Sequence, residues 1–218
     1  MVAESPTSSR WRLSAANAEL AATVLLAVAA VATAWSSYQA SRWSGEQAIT
    51  FSASNAARVT ASRDDARAER QMQTDVATFI AWAQAYASGD QPLEAFFFQR
   101  FRQEFRPAVE AWVATRPLRN PEAPLTPFEL PEYRSAERER AADLDAEASR
   151  QTDLAKEDNQ RSDNYVLAVV LFASSLFFAG ISTKLSQLPN RVALLAIGWV
   201  VFLATLGWVL TFPISISV

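Results

Sequence analysis

The sequence contains no histidine and no cysteine among its 218 residues. Their absence excludes enzymes with a histidine-dependent triad, enzymes with a thiol nucleophile and the usual zinc sites. It also means that the sequence carries no signal of a redox compartment. Glycine is scarce, and the five glycines form no phosphate-binding loop. Acid–base catalysis by a pair of carboxylates is the only catalytic route left open. Because the other routes are excluded, we predict a non-enzymatic protein without a cofactor.

Charge is distributed unevenly along the chain. Residues 42–163 hold 16 of the 20 basic and 21 of the 23 acidic residues, which leaves that region with a net charge of −5. A region with this balance and no basic stripe predicts no nucleic-acid partner. Asp143, Asp145 and Glu147 resemble the start of a calcium loop, but Ala148 and Leu154 replace the glycine and the glutamate that such a loop needs. We therefore predict no metal site.

Three segments without a charged side chain, at residues 20–38, 165–183 and 192–212, are each long enough to cross a bilayer as a helix. Hydrocarbon cannot solvate free amides, so a spanning segment of this kind must be helical. We predict transmembrane helices at residues 18–41, 164–183 and 192–213. The alternative, three buried helices of a soluble core, is disfavoured because all three runs lack charge.

The first apolar run has a second interpretation, as a cleaved signal peptide. Arg10 and Arg12 precede it, and it ends in Ala32, Thr33 and Ala34, the small-x-small pattern of a signal-peptidase site. The long polar lead argues against cleavage, and the residues after Ala34 extend the run to spanning length. We expect the first span to be retained.

Aromatic residues mark the predicted membrane surface. Trp35, Tyr38 and Trp43 lie at the end of the first run, and Tyr165 begins the second. Amphipathic rings favour the headgroup layer, so we assign these four residues to the membrane interface. Good helix formers continue beyond them, with Gly45 as the only breaker before Gly89. We predict that the helix leaves the membrane unbroken and continues over about 44–88, where Gly89, Asp90 and Pro92 stop it.

The next segment predicts a helix over about 92–115 with an aromatic stripe. The stripe contains Phe97, Phe101, Phe105 and Trp112, which recur at helical spacing. We expect these residues to form the core at the tip of a stalk, packed on the apolar residues of 72–86. Arg100, Arg102, Glu104 and Arg106 are expected on the opposite side. Phe96–Phe98 as a lipid- or ligand-binding face is the alternative.

A connector and a third polar helix follow. Five prolines in residues 116–131 forbid a helix there; the segment is either a surface loop or a docking strap for a partner. Residues 132–163 are predicted to be helical, with a packing seam of small residues spaced as in a heptad repeat. The seam consists of Ala141, Leu144, Ala148 and Ala155, and we expect it to pack against Ala53, Ala56, Ala57, Ala61 and Ala68 of the first helix.

Basic residues outside the polar region predict the orientation. Arg10 and Arg12 belong to a polar N-terminal tail, residues 1–17, and Lys184 and Arg191 belong to a short loop, residues 184–191. The C-terminal tail, residues 214–218, has no charge. Because positive residues favour the cytoplasmic side, we expect the extramembrane region, residues 42–163, to lie outside the cytoplasm.

Two stretches carry a resemblance. AWSSYQASRWSGEQA (34–48) and LFASSLFFAGISTKL (171–185) resemble segments of small uncharacterised bacterial membrane proteins with one N-terminal span, a helical middle and a C-terminal two-span hairpin. The resemblance implies an architecture and nothing more. We separately expect the location to be a bacterial inner membrane. The order span, helical region, span is also similar to the sensor half of bacterial chemoreceptors, except that a hairpin follows in place of an output domain.

The sequence thus predicts an all-α integral membrane protein with three transmembrane helices and a helical extramembrane stalk. The expected role is that of an assembly, accessory or scaffold subunit. Its expected partners are the lipid bilayer and either further copies of itself or another membrane protein. An oligomeric pore lined by Thr23, Thr33 and Ser37 is one alternative, and a ligand sensor that uses the phenylalanine-rich tip is another.

Overall fold

The computed structural model describes the backbone of residues 6–216 and the side chains of residues 16–216. Five α-helices and one short 3-10 turn occur in this part of the chain, with no strand, so the all-α class is confirmed. The helices are α1 (Pro6–Ser88), α2 (Gln91–Phe98), α3 (Arg106–Ala114), α4 (Ala136–Ser182) and α5 (Leu188–Val209), and the turn is Pro127–Glu129. Residues 1–5 and 217–218 of the two predicted tails, and the side chains of Arg10 and Arg12, lie outside the described residues.

Three helices are long and apolar enough to cross a membrane. Among the described residues they are α1, α4 and α5, and each contains all or most of one predicted span. Helix α1 passes through residues 34–48 without a break, as the lack of prolines and paired glycines in that stretch predicted. Alanine, glutamine, arginine and glutamate sustain the helix beyond the apolar run because they are intrinsically good helix formers.

The chain divides into two compact units. The first, which we call the apolar unit, comprises the described residues up to Ser52 together with those from Thr152 onward. The second, the polar unit, comprises Ala53–Gln151. Helices α1 and α4 each contribute residues to both units, and each unit is described separately below.

Helix α1 ends where the sequence predicted, in a glycine-terminated cap. Gly89 adopts a φ of +74°, a left-handed conformation that costs glycine little. Its amide donates to the Tyr86 carbonyl, and the next amide, of Asp90, donates to the Ala85 carbonyl. These two bonds form a Schellman motif. The Asp90 side chain then accepts a hydrogen bond from the Leu93 amide at 3.1 Å and starts α2.

The prediction of one helix over 92–115 is wrong. The structure has two short helices instead, α2 and α3, separated by residues 99–105. Pro107 is the physical reason: its ring lacks an amide donor and would collide with a carbonyl one turn earlier in a continuous helix. Proline is tolerated in a first turn, and Pro107 lies there in α3.

Three other helix boundaries differ from the predicted ones, and a capping serine or a proline explains each. Helix α4 begins at Ala136 and not at 132, after Ser135, whose hydroxyl accepts a hydrogen bond from the Arg138 amide. Helix α5 begins at Leu188, within the predicted loop, because Pro189 fits the first turn of a helix. It ends at Val209, four residues before the predicted end, since Pro213 disfavours helical geometry in the residue before it.

Small residues let the helices of the apolar unit approach closely. Its core includes Ala22, Ala29, Ala168 and Ala179, all fully buried, together with larger side chains such as Leu25 and Phe172. Gly198 of α5 belongs to the same contact. A methyl group at this position would lie 3.1 Å from Cδ2 of Leu25 and 3.4 Å from the Ser175 carbonyl. Even a methyl group at Gly198 would therefore need Leu25 to give way by a few tenths of an ångström.

We expect Gly198→Leu to destabilise the apolar unit by about 1–3 kcal/mol, the usual cost of overpacking a core. Gly207→Leu is the matched control, because Gly207 lies in the same helix and has open space around its Cα. Thermal unfolding of the detergent-solubilised protein, followed by circular dichroism, measures the difference. Equal melting temperatures for the two variants would contradict the packing argument.

Candidate functional site

The residues of the predicted aromatic stripe meet in the core of the polar unit. Phe101, Phe105 and Trp112 are buried there, and Phe97 packs against them while partly exposed. We call this cluster the aromatic core. Its other members come from α1, α2, α3 and the segment before α4: Phe79, Trp82, Ala83, Tyr86, Phe98, Ala108, Val109, Val113, Phe128, Leu130 and Tyr133.

A buried ion pair lies beside the aromatic core. Asp75 of α1 is 1% exposed. Nη2 of Arg102 lies 2.8 Å from one of its carboxylate oxygens, and Nε lies 3.1 Å from the other. The Tyr133 hydroxyl donates a third hydrogen bond to Asp75 at 3.2 Å. Asp75 thus ties α1 to the α2–α3 connection and to the segment before α4, which are distant in sequence.

Sequence reasoning misplaced Arg102. On a continuous helix it lies opposite the aromatic stripe, where solvent exposure is expected. The break before α3 changes its direction, and the guanidinium binds Asp75. Arg106 likewise turns back to donate to the carbonyls of Gln99 and Phe101. The one signal of this ion pair in the sequence was the position of Asp75 on the buried face of α1. A buried charge must be paired, so a basic partner was to be expected.

Arg102 and Tyr133, the two hydrogen-bond partners of Asp75, both have raised pKa values. Its hydrogen bond with Arg102 raises the pKa of that guanidinium, which stays charged. Burial, followed by the charge of Asp75, raises the pKa of Tyr133 from 10.0 to about 12. The phenol therefore stays protonated and acts as a donor to the carboxylate. Both shifts favour the observed hydrogen bonds, and neither creates a base or a nucleophile.

We expect the stability of the polar unit to fall as pH rises from about 10 to about 12. The pKa of Tyr133 is higher in the folded state than its ordinary value of 10.0, so its contribution is complete below pH 10 and is lost through the folded pKa. Denaturant unfolding between pH 9 and pH 12 measures the loss. Tyr133→Phe is expected to remove this component, whereas Tyr86→Phe, which alters a ring stacked on Trp82, should retain it. An identical pH profile for the Tyr133→Phe variant and the parent chain would refute the assignment.

The predicted packing seam uses small residues, although in a register different from the one expected on α1. Ala141, Ala148 and Ala155 are buried and Leu144 is half-buried; Ala155 belongs to the apolar unit and the others to the polar unit. On α1, Ala61 and Ala68 are buried and Ala57 is half-buried, but Ala53 and Ala56 are exposed. Ser54 takes their place, and its hydroxyl donates to the Ala148 carbonyl at 2.8 Å.

The four aromatic residues assigned to the membrane interface all lie in the apolar unit. Trp35 and Tyr38 are about half-exposed and adjacent, with ring centroids 5.9 Å apart. Trp43 is half-buried, and the Arg161 guanidinium lies over the Trp43 ring, 4.7 Å from the ring centroid. Tyr165 is 1% exposed. Trp43 and Tyr165 both donate to the Pro213 carbonyl, at 3.3 and 3.1 Å.

The segment after α5 is held by Gln39, which sequence reasoning did not identify. The Gln39 side chain is fully buried. Its amide nitrogen donates to the Ser215 carbonyl at 3.3 Å, and its oxygen accepts from the Ser215 amide at 3.0 Å. With the two bonds to Pro213, this pairing places the end of α5 beside residues 39–43 of α1 and the start of the second predicted span.

The proline-rich connector is ordered by contacts with the aromatic core. Trp112 donates its indole hydrogen to the Pro124 carbonyl at 2.7 Å, and Pro127 is buried. The same connector leaves Leu118 and Leu125 exposed, at 62% and 84%. Two large apolar side chains therefore stand in water on a fixed loop.

The three residues of the pore alternative all lie on α1. The hydroxyls of Thr23 and Thr33 donate to carbonyls of their own helix, four residues earlier. Ser37 is exposed on α1.

The described residues contain no cluster of three or more histidine, cysteine, aspartate or glutamate side chains arranged to hold a metal ion. Asp143 and Asp145, the start of the calcium-like stretch, are exposed on a regular helix. Neither family models, nor curated protein sequences, nor solved structures show a match to this chain.

Proposed function

We propose that this protein is an integral membrane protein that acts without catalysis, as an assembly or accessory subunit. In this proposal the apolar unit is embedded in a bilayer, and the polar unit carries the protein contacts. The proposed location is a bacterial inner membrane, with the polar unit outside the cytoplasm, as the positions of Lys184 and Arg191 favour.

The outer surface of the apolar unit supports embedding in lipid. Large apolar side chains are more than half exposed on all three of its long helices, among them Leu20, Val31, Val170, Phe177, Val200 and Leu203. Soluble proteins rarely expose contiguous apolar surface of this kind. In hydrocarbon the same surface is the favourable one, and only helices satisfy their own backbone there.

The exposed leucines of the connector carry the proposal of a protein partner. Leu118 and Leu125 are the exposed large apolar side chains of a connector whose Pro124 carbonyl accepts from Trp112 and whose Pro127 is buried. An ordered loop loses little conformational entropy on binding, which is the advantage of a preorganised contact.

Flotation with liposomes tests the membrane half of the proposal. We expect the protein to float with lipid and to resist extraction at high salt. A monodisperse protein in detergent-free buffer would contradict embedding, whatever the result for the partner.

Site-specific photocrosslinking in intact membranes tests the partner half. A photoreactive residue at position 125 is expected to crosslink to a second copy or to another membrane protein, and one at the exposed position Asp143 of α4 is the control. Leu118→Asp/Leu125→Asp should abolish the same complex in mass measurements on nanodiscs. A complex that survives this double substitution, or equal crosslinking at both positions, would overturn the assignment.

A further inference from the structure

The segment that follows α5 is held by hydrogen bonds to its main chain. The Pro213 carbonyl accepts from Trp43 at 3.3 Å and from Tyr165 at 3.1 Å. The amide and the carbonyl of Ser215 both pair with the Gln39 side chain. Every residue offers a main-chain carbonyl, and every residue except proline offers an amide. These bonds therefore recognise a peptide segment, whatever side chains it carries.

The side chains of this segment, residues 212–216, add a simple pattern. We call the segment the clasp. Phe212 meets the Tyr165 ring edge-on, with ring centroids 5.2 Å apart. Ser215 is 7% exposed, whereas Ile214 beside it is 52% exposed. The site thus selects an aromatic residue and, three positions later, a small one, and it leaves the residues between them free.

The groups that hold the clasp lie on helices that are joined without it. Gln39 and Trp43 are four residues apart on α1 and therefore share a face of that helix. Tyr165 lies on α4, where the nearby Ser162 hydroxyl donates to the Ala40 carbonyl of α1 at 2.9 Å. This bond fixes α4 against α1 independently of the clasp. A site whose parts are already in place binds a segment at lower cost.

A short hinge, residues 210–212, connects α5 to the clasp. The amides of Thr211 and Phe212 donate to the carbonyls of Trp208 and Val209, each at 3.0 Å. If this turn opens, its three residues span about 10 Å in extended form. Helices packed side by side lie about 8–10 Å apart. The clasp can therefore reach the corresponding site of a second copy packed directly beside the first.

We propose that the clasp is exchanged between copies, so that the site on α1 and α4 of one copy binds the clasp of another. A second copy supplies identical residues, and the exchange preserves all the bonds to Gln39, Trp43 and Tyr165. Such swapping of an identical element is a low-cost route to a dimer. This inference rests on the proposed function, because it requires a second copy as the assembly partner.

Two differently tagged full-length copies, made in the same cell, test the exchange. The donor copy carries a photoreactive residue in place of the exposed Ile214, and the receiver copy does not. We expect a crosslinked product that carries both tags, with the link near Gln39 of the receiver. Absence of this product would overturn the exchange. A complex that still depends on Leu118 and Leu125 would then leave the proposed function standing.

Gln39→Leu separates exchange from mere proximity, because its effect depends on the copy that carries it. In the receiver it removes the pairing with Ser215 of the donor, so the doubly tagged product should fall about tenfold or more. In the donor it frees the clasp from its own site, so the product should rise. Ser41→Leu, at an exposed neighbouring position of α1, is the matched control and should change neither yield. Equal effects of Gln39→Leu in the two copies would refute the exchange.

A substitution in the clasp itself gives a second measurement. Circular dichroism shows whether the Gln39→Leu chain is folded, and if it is not, Ser215→Pro in the donor decides. This change removes the amide that donates to Gln39 and leaves the receiver intact. The doubly tagged product should again fall, and an unchanged yield would overturn the proposal.

Discussion

Replacing Phe105 with alanine is expected to lower the free energy of unfolding of the polar unit by about 3–5 kcal/mol. Phe105 is fully buried. Its ring contacts Phe101 at 5.0 Å, stacks on Phe128 at 5.1 Å and meets Tyr133 edge-on at 5.7 Å. Truncation of Phe105 leaves a cavity. The rings of Phe101, Phe128 and Tyr133 cannot move in to fill it, because each is held by further contacts.

Phe96→Ala is the matched control for this variant. Phe96 is 46% exposed on α2, and Arg100 lies 3.5 Å above its ring. We expect it to cost about 1 kcal/mol or less, the value of an exposed cation–π contact. Near-ultraviolet circular dichroism during denaturant unfolding reports on the aromatic core directly. Similar losses for the two variants would show that Phe105 is not part of a packed core.

Replacing Asp75 with alanine is expected to destabilise the polar unit by about 3 kcal/mol. Removing one partner of a buried ion pair costs about 3–5 kcal/mol, because the other charge is left without compensation. We take the lower end because Arg102 keeps 24% of its side chain exposed and can draw on solvent. The Tyr133 hydroxyl loses its acceptor in the same variant.

Asp153→Ala is the control for the ion pair. Asp153 and Lys156 also form an ion pair of 2.8 Å, but each side chain is 72% exposed. Such surface pairs contribute about 0–1 kcal/mol, so we expect little change. The double variant Asp75→Leu/Arg102→Leu should be less destabilised than Asp75→Ala, since no buried charge remains. If the double variant is the less stable of the two, the cost comes from packing and not from the unpaired arginine.

The features that follow from local chemistry could be predicted from the sequence. Gly89 ends α1 because glycine adopts the left-handed backbone of a helix cap at little cost, and the stop occurs where Gly89 and Pro92 indicate. The break before α3 has an equally local cause, Pro107, but the regular aromatic stripe hid it. Once one continuous helix is assumed, Arg102 falls on the wrong side, and the ion pair with Asp75 cannot be inferred.

The seam on α1 shows a second limit. Buried positions recur every seven residues, at Ser54, Ala61, Ala68, Asp75 and Trp82. The spacing is that of a heptad repeat, but its members differ in chemistry. A search for small apolar residues finds the two alanines and omits Ser54 and Asp75, which are buried because each has a hydrogen-bond partner. Periodicity identifies the face of a helix, and tertiary partners decide which polar residues it accepts.

The pairing of Gln39 with Ser215 has a consequence for the order of events during synthesis. The two residues are 176 positions apart, so the ribosome makes the glutamine long before the serine that binds it. Until then the first apolar helix carries an amide whose partner does not yet exist, and a bare amide is costly in lipid. In the proposed membrane-embedded state the glutamine would stay hydrated at the bilayer edge during this interval, which would make the docking of residues 213–215 a late step in maturation.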